Sequence, residues 1–195
     1  MMTSTELAEI LQKSEIPTAL AVGFRTDAYF DAIRGLVDIF ASKRGLNTIY
    51  ITASMPSNSI IGILNLLEIN MEKVHFVDCV SHIMMGAATR QENVHYVESP
   101  TMLENIMLKV EYLVRKNNGK NCLVILDAIN SLAIHNNTKI LSEFLHIFIN
   151  SLRSKGVFAF IFSMEEFSSD EILGMMSLVC EDVISMSGRV EDAGT

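Results

Sequence analysis

The feature that most constrains the fold is a series of short, continuously apolar runs separated by longer stretches of helical period. Runs rich in β-branched and aromatic residues predict strands. They cover residues 18–22, 47–52, 74–78, 94–97, 122–127, 157–162 and 182–186. Because most of them do not alternate apolar with polar residues, both faces of the sheet must be covered. Strands that alternate with helices predict right-handed crossovers and a three-layer α/β/α sandwich with a mostly parallel sheet.

The segments between the strands carry the periodicity and end signals of helices. One predicted helix spans residues 26–43, with Gly45 as its stop signal and an apolar face of Tyr29, Ile33, Leu36, Val37 and Phe40. A second begins at Pro100 with Ser99 as its cap, and a third spans 138–155. Residues 4–13 predict a short amphipathic helix at the edge, and 188–195 predict a loose polar tail.

Length, charge and cysteine content limit the class of protein. A chain of 195 residues fits one domain, and its net charge of −8 argues against nucleic-acid binding, which requires clustered Lys and Arg. No apolar run reaches the roughly 20 residues that span a bilayer, and the acidic start has no secretory signal pattern. Cys79, Cys122 and Cys180 are far apart, which favours reduced thiols over disulfides or zinc. These features predict a cytoplasmic protein.

The strongest local signal is the apolar run 122–127, which ends in Asp127 and continues as Ala128-Ile129-Asn130-Ser131-Leu132. This run resembles the Walker B element of RecA-like ATPases, in which the Asp holds Mg²⁺ on the nucleotide phosphates. The runs 47–52 and 74–78, and the order of helix 138–155, Gly156 and strand 157–162, are similar to the archaeal and cyanobacterial KaiC and RadA/RAD55-like families. The resemblance covers about residues 17–187 and implies an archaeal source. It also implies that strand 157–162 lies between the first strand and the Asp127 strand.

The same resemblance implies a phosphate-binding loop G-x-x-x-x-G-K-[ST] after the first strand. The sequence there is Gly23-Phe24-Arg25-Thr26-Asp27-Ala28-Tyr29-Phe30. Ala28, Tyr29 and Phe30 replace the second glycine, the phosphate lysine and the magnesium-binding hydroxyl, so a close backbone approach, a positive charge and a metal ligand are lost. Asp27 adds negative charge beside the expected phosphates.

A second expected part is an acidic residue after the second strand, which activates the attacking water in these families. Residues 52–58 contain no carboxylate, so this segment offers no general base. Both departures indicate a degenerate, non-hydrolysing member of the superfamily rather than an active ATPase.

The remaining site candidates come from the predicted strand ends, where an open parallel sheet binds its ligands. Nucleotide or anion candidates are Gly23, Arg25, Thr26, Ser54 and Asp127. Asp127 and Asp78, with Ser54, Ser81 and His82, form the alternative metal pocket, although both carboxylates are better interpreted as caps of the next turn. Thr26 as a helix cap and Glu165-Glu166 as a solvated loop are likewise the preferred interpretations. No catalytic residue is assigned.

The function that these features favour is a catalytically inactive RecA/KaiC-like regulatory or scaffold protein that acts through protein contacts. The strongly apolar segment 140–152 either lies under other elements or leaves a patch for a partner chain. The family resemblance favours self-association as a homo-oligomer. No cofactor is expected, and ATP with magnesium is disfavoured. The alternatives are a protein with a weak or shared ATP site, and an unrelated metal-dependent α/β enzyme that uses Asp78, Asp127 and His82.

Overall fold

The computed structural model describes residues 1–14, 16–86, 91–118 and 121–187, so the predicted tail 188–195 lies outside the described residues. The strands are β1 Ala19–Phe24, β2 Asn47–Thr52, β3 Val74–Asp78, β4 Val94–Tyr96, β5 Cys122–Asp127, β6 Phe158–Met164 and β7 Asp182–Ser185. The helices are α1 Ser4–Gln12, α2 Tyr29–Ile33, α3 Ala41–Arg44, α4 Ser57–Leu66, α5 Ser81–Met85, α6 Leu103–Lys116, α7 Ile129–His135, α8 Thr138–Ser154 and α9 Asp170–Val179.

The strands form one sheet in the order β4-β3-β2-β5-β6-β1-β7, and every neighbouring pair is parallel. The predicted sandwich with a mostly parallel sheet is therefore confirmed. β6 lies between β1 and β5, as the family resemblance implied. The chain order of the strands requires crossover connections, and the helices in those connections cover the two faces of the sheet.

Two apolar cores lie on opposite faces of the sheet. One core packs α6, α7, α8 and α9 against alternate strand residues such as Val124 and Ile161. The other core packs α1, α2, α3 and α4 against the intervening residues, including Tyr50 and Phe160. Because successive side chains of a strand point to opposite faces, continuously apolar strands supply both cores at once.

The helix predicted over 26–43 differs in detail. It begins as a 3₁₀ turn, Thr26–Ala28, continues as α2, and then has a π-helical segment, Arg34–Phe40, before α3. It ends as predicted at Gly45, whose φ of 65° is the left-handed conformation typical of a helix C-terminus. α1 crosses the π-helical segment so closely that a Cβ on Gly35 would lie 2.9 Å from the Ser4 carbonyl oxygen.

The prediction that a helix begins at Pro100 under a Ser99 cap is wrong, because α6 begins at Leu103. The Ser99 hydroxyl accepts a hydrogen bond from the Thr101 amide at 3.2 Å, and the Met102 amide donates to the Ser99 carbonyl at 3.0 Å. Ser99 therefore stabilises a separate turn before the helix. Within the described residues, no helix is both long enough and apolar enough to cross a membrane.

Candidate functional site

The carboxyl ends of the parallel strands meet along one edge of the sheet, where α/β proteins of this type bind ligands. Thr52, the last residue of β2, is in register with Asp127 on one side and Asp78 on the other. Adjacent strands are separated by ~4.8 Å, so these two carboxylates are about 10 Å apart, with β2 between them. The sheet therefore places the two aspartates in separate environments.

Asp127 is fully buried and accepts hydrogen bonds from three side chains. The Tyr29 and Tyr50 hydroxyls donate to Oδ2 at 2.5 and 2.6 Å, and the Ser54 hydroxyl donates to Oδ1 at 3.3 Å. The two tyrosine oxygens are 3.3 Å apart. Donors from the second strand, the second-strand loop and the helix after the first strand thus converge on one carboxylate.

Burial dominates the titration of this cluster. It raises the pKa of the Asp127 carboxyl above its ordinary value, although the hydrogen bonds from Tyr29, Tyr50 and Ser54 oppose the shift. Burial, together with the charge of Asp127, also raises the pKa of the Tyr29 and Tyr50 hydroxyls. The phenols therefore stay protonated and remain donors to the carboxylate.

Tyr29 is the first residue of α2, immediately after the 3₁₀ turn, and from there its hydroxyl reaches Asp127. Its ring packs beside Phe24 at a centroid separation of 5.7 Å, and Phe24 in turn contacts Phe162 edge-on at 5.0 Å. Aromatic side chains from β1, β6 and α2 thus pack against one another, and the Tyr29 hydroxyl extends from this group to Asp127.

Arg25 and Thr26, two of the anion-binding candidates, lie in the loop between β1 and α2. The preferred interpretation of Thr26 as a helix cap is wrong, because Thr26 is the first residue of the 3₁₀ turn and the cap position is Arg25. The Arg25 side chain is exposed and lies 3.9 Å from the Asp27 carboxylate. The Thr26 amide donates to Glu166 Oε1 at 3.0 Å, and this hydrogen bond is the main cause that lowers the pKa of the Glu166 carboxyl. The Glu166 carboxylate therefore accepts the hydrogen bond that the Thr26 amide would otherwise donate to a bound anion.

Of the other two nucleotide candidates, Gly23 lies in β1 and Ser54 lies in the loop after β2. Ser54 contacts Asp127 directly, whereas Gly23 faces Glu165, whose Oε1 would lie 3.2 Å from a Cβ on Gly23. The structure thus brings Ser54 and Asp127 together, whereas Gly23 lies next to Glu165.

The preferred interpretation of Asp78 as a cap agrees with its contacts. Its carboxylate accepts hydrogen bonds from the Ser57 amide at 2.7 Å, the Val80 amide at 3.0 Å, and the Ser81 amide and hydroxyl at 2.9 and 2.6 Å. Burial alone would raise the pKa of Asp78, but the hydrogen bonds from Ser81 and Ser57 outweigh it, and the pKa is lowered. Asp127 does not act as such a cap, because its carboxylate binds side chains.

The metal alternative required Asp78, Asp127 and His82 to share one centre. His82 lies edge-on to Tyr96, with ring centroids 5.9 Å apart, and β2 separates the two aspartates. Across the described part of the chain, no group of three or more His, Cys, Asp or Glu side chains is placed to hold a metal ion.

The interpretation of Glu165-Glu166 as a solvated loop differs from the structure, in which Glu165 is half-buried, and Asn130 was not among the predicted site residues. Glu165 accepts hydrogen bonds from the Ser185 hydroxyl at 2.6 Å and from the Ser187 hydroxyl. Buried Asn130 donates to the Met164 carbonyl at 3.2 Å and accepts from the Met164 amide at 2.8 Å. An acidic pair directly after an apolar strand was the available signal, although its partners are distant in sequence.

Three solved structures of archaeal proteins have folds similar to that of this chain. The chain superposes on the KaiC-like protein PH0186 of Pyrococcus horikoshii with a TM-score of 0.61 and 15% identity, over 87% of this chain and 71% of that one. It superposes on the P. horikoshii protein PH0250 with a TM-score of 0.62 and 11% identity, over 99% of this chain and 90% of that one. For the flagellar accessory protein FlaH of Methanocaldococcus jannaschii, the TM-score is 0.58 and the identity 13%, over 87% of this chain and 72% of that one.

At the level of sequence, no protein-family model and no curated protein matches the chain. Identities of 11–15% leave the architecture as the shared property. The seven-stranded parallel sheet with helices on both faces therefore has the RecA-like fold of the archaeal KaiC-like and FlaH proteins.

Proposed function

We propose that this chain is a RecA-like protein that neither holds nor hydrolyses a nucleoside triphosphate and acts through contacts with other proteins. The observation that carries the proposal is the pair of hydrogen bonds from Tyr29 and Tyr50 to Asp127 Oδ2. A Mg²⁺ ion on that oxygen would have to displace two buried phenols, because the ion requires near-octahedral oxygen ligation at close range.

The sequence of the loop supports the same proposal. Tyr29 stands where the motif requires the phosphate lysine, and its hydroxyl points to the carboxylate at the end of β5. The Thr26 amide is bonded to Glu166, which puts a negative charge where the phosphates would need donors. A triphosphate would thus meet an internal carboxylate and an aromatic side chain rather than a cationic cradle.

Contacts with other proteins are proposed because apolar side chains remain on the helical surface. α8 packs its main apolar stripe against the sheet, yet Ile147 on α8 is 59% exposed and Leu178 on the neighbouring α9 is 76% exposed. Exposed apolar side chains grouped on adjacent helices are typical of protein-binding surfaces. Self-association through these helices stays part of the proposal.

A second candidate function is a weak or shared ATP site. It is favoured by one observation, namely that Asp127 and Ser54 meet at the same strand ends where the resemblance implies phosphate and metal binding. In this alternative, nucleotide binding would move Tyr29 away from Asp127.

Thermal unfolding of the whole chain with Mg-ATP, Mg-ADP or Mg²⁺ alone separates these functions. A ligand at a hundredfold excess over its dissociation constant adds about 2.7 kcal/mol to the free energy of unfolding, so specific binding must raise the midpoint. We expect no rise with any of the three. A rise with Mg-ATP that Asp127→Asn abolishes would establish the ATP site instead, and a rise with Mg²⁺ alone would support the metal-dependent enzyme.

A further inference from the structure

The outer edge of β7 borders an apolar groove with a volume of about 650 Å³. β7 pairs with β1 on one side, and among the described residues no strand pairs with its other side. The Met2 amide donates to the Met186 carbonyl at 2.7 Å just beyond the strand, and within Asp182–Ser185 the Val183 amide donates to the Asp182 side chain at 2.8 Å, a local contact that an added strand would replace. An open edge of this kind presents unpaired backbone N–H and C=O groups that can pair with another chain.

The groove reaches both faces of the sheet. Val183 and Ile184 are adjacent in β7, so their side chains point to opposite faces, and both line the groove. Met2 and Ile10 form its wall on the α1 face, while the wall on the opposite face comes from α9, through Leu173 and Met176. An extended strand laid along β7 would therefore bury apolar side chains on both of its faces.

The polar groups of the groove are acidic or neutral. Of the residues that line it, Glu165 and Asp182 are charged, and none is Lys, Arg or His. Glu165 accepts one hydrogen bond on each carboxylate oxygen, from Ser185 and Ser187, and retains further acceptor capacity. The groove thus complements an occupant that combines apolar side chains with Lys or Arg.

Two occupants from this chain itself fit poorly. Residues 188–195 include a single large apolar side chain, Val190, so their sequence does not supply apolar groups for two walls. A second copy would bring a net charge of −8 and the same carboxylates against this edge. Like charges placed together across an interface are repulsive.

We infer that the β7 edge binds an extended, basic and apolar segment of another protein as an added strand. The backbone of that segment pairs with β7, its apolar side chains enter both walls of the groove, and a Lys or Arg faces Glu165. The inference rests on the proposed function in one respect, that the chain acts through protein contacts, and it adds where the contact lies and what chemistry the partner carries.

The test is selection from a phage library of random nine-residue peptides against the full chain, with counter-selection against Val183→Lys. Val183 is 39% exposed on β7, and lysine at an edge strand blocks strand addition. We expect enriched peptides with apolar residues on both faces and net positive charge. Methylation of alternate backbone amides on the side that pairs with β7 should weaken binding tenfold or more, while Glu165→Gln should weaken it several-fold.

Leu66→Lys is the matched control, because Leu66 is 77% exposed on α4 and does not line the groove. This variant should bind the selected peptide as the wild type does. Failure to enrich any peptide above the Val183→Lys background would overturn the inference, as would enriched peptides that are acidic or insensitive to amide methylation. Thermal unfolding with Mg-ATP on the same protein keeps the two proposals separable. If Mg-ATP raises the unfolding midpoint and the peptide also binds, only the proposed function is contradicted. If Mg-ATP causes no shift and no peptide binds, only this inference is contradicted.

Discussion

At the scale of single residues, the two aspartates at the strand ends show how environment decides the role of a carboxylate. Asp78 accepts backbone amides and a serine hydroxyl, and its pKa is lowered. Asp127 is surrounded by phenols in the core, and its pKa is raised because burial outweighs the hydrogen bonds that it accepts. The former stabilises a turn as an anion, whereas the latter binds its proton more tightly in the folded chain than in the unfolded chain.

Removal of the Tyr29 hydroxyl should destabilise the protein. Tyr29→Phe retains the ring but leaves Asp127 with one donor fewer, and a lost hydrogen bond to a buried polar group costs about 1–3 kcal/mol. The free energy of unfolding, measured with urea, checks the loss. Tyr112→Phe is the control, because Tyr112 is 49% exposed on α6 and its replacement should change stability by less than about 0.5 kcal/mol. Equal effects of the two variants would show that the Tyr29 contact contributes nothing.

The raised pKa of Asp127 predicts a particular pH dependence. The folded chain holds the proton above pH 3.8, the ordinary value, where the unfolded chain releases it. Stability from this group is therefore complete below that value and is lost as the pH rises through the folded pKa. The difference in free energy of unfolding between wild type and Asp127→Asn should shrink as the pH increases from about 4 to 8. A difference that grows over this range would contradict the prediction.

Asp78→Asn supplies the control of opposite sign. Because the pKa of Asp78 is lowered, its stabilisation is complete above the ordinary value of 3.8 and is lost as the pH falls through the folded pKa. Urea unfolding should thus show a large penalty for Asp78→Asn at neutral pH and a smaller one in acid. The two variants together separate the titration of these groups from a general effect of pH on the fold.

At the scale of elements, the contact of α1 with the π-helical segment Arg34–Phe40 depends on Gly35. A Cβ there would lie 2.9 Å from the Ser4 carbonyl oxygen and 3.1 Å from Leu7 Cδ2, so α1 would have to shift. The absence of a side chain at this one position lets the first helix cover β1 and the core below it. The spacing of the helices is thus set by a backbone approach rather than by complementary side chains.

Gly35→Ala should therefore destabilise the protein by about 1–3 kcal/mol, the usual cost of overpacking, despite the better helix propensity of alanine. Gly62→Ala is the matched variant, since Gly62 lies inside α4 and a Cβ there has nothing within 4 Å. That substitution should stabilise the chain by up to about 1 kcal/mol. Urea unfolding of both variants checks the contrast, and two changes of the same sign would refute the proposed close approach.

At the scale of the whole molecule, charge limits the partners. The net charge is −8, and the two charged residues that line the groove at β7, Glu165 and Asp182, are both acidic. Neutralisation of phosphates by Lys and Arg supplies most of non-specific nucleic-acid affinity. We therefore expect basic protein segments, rather than DNA or RNA, as partners.

We expect no association of the protein with nucleic acid. The fluorescence anisotropy of a labelled DNA duplex at physiological salt should stay constant up to about 100 µM protein, the upper range of non-specific dissociation constants. A labelled single strand should behave in the same way. Binding that weakens steeply with added salt would reveal a basic strip and would contradict the proposed class of partner.

The sequence predicted the sheet because the strands are continuous apolar runs. β2, β3 and β5 have the predicted bounds, and the order β5-β6-β1 followed from the family resemblance. Residues far apart in the chain make the site, and this is where prediction from sequence failed. The sequence shows that Tyr29 stands at the position of the phosphate lysine. Its hydrogen bond to Asp127, however, joins residues 98 positions apart, and no local pattern encodes such a contact. The hydrogen bonds that Glu165 accepts from Ser185 and Ser187 likewise join residues that no local pattern connects.

The position of β1 in the sheet has a consequence for synthesis on the ribosome. β1 is made before both of its partners in the sheet, because β6 and β7 follow residue 157. At about 5–20 residues per second, this apolar strand waits of the order of ten seconds with both edges unpaired. During that interval the sheet lacks β6, the strand that joins β1 to β5, so Tyr29 and Asp127 are not yet held together. A nascent chain arrested before β6 should therefore be a ligand for chaperones, and release of the complete chain should end that dependence.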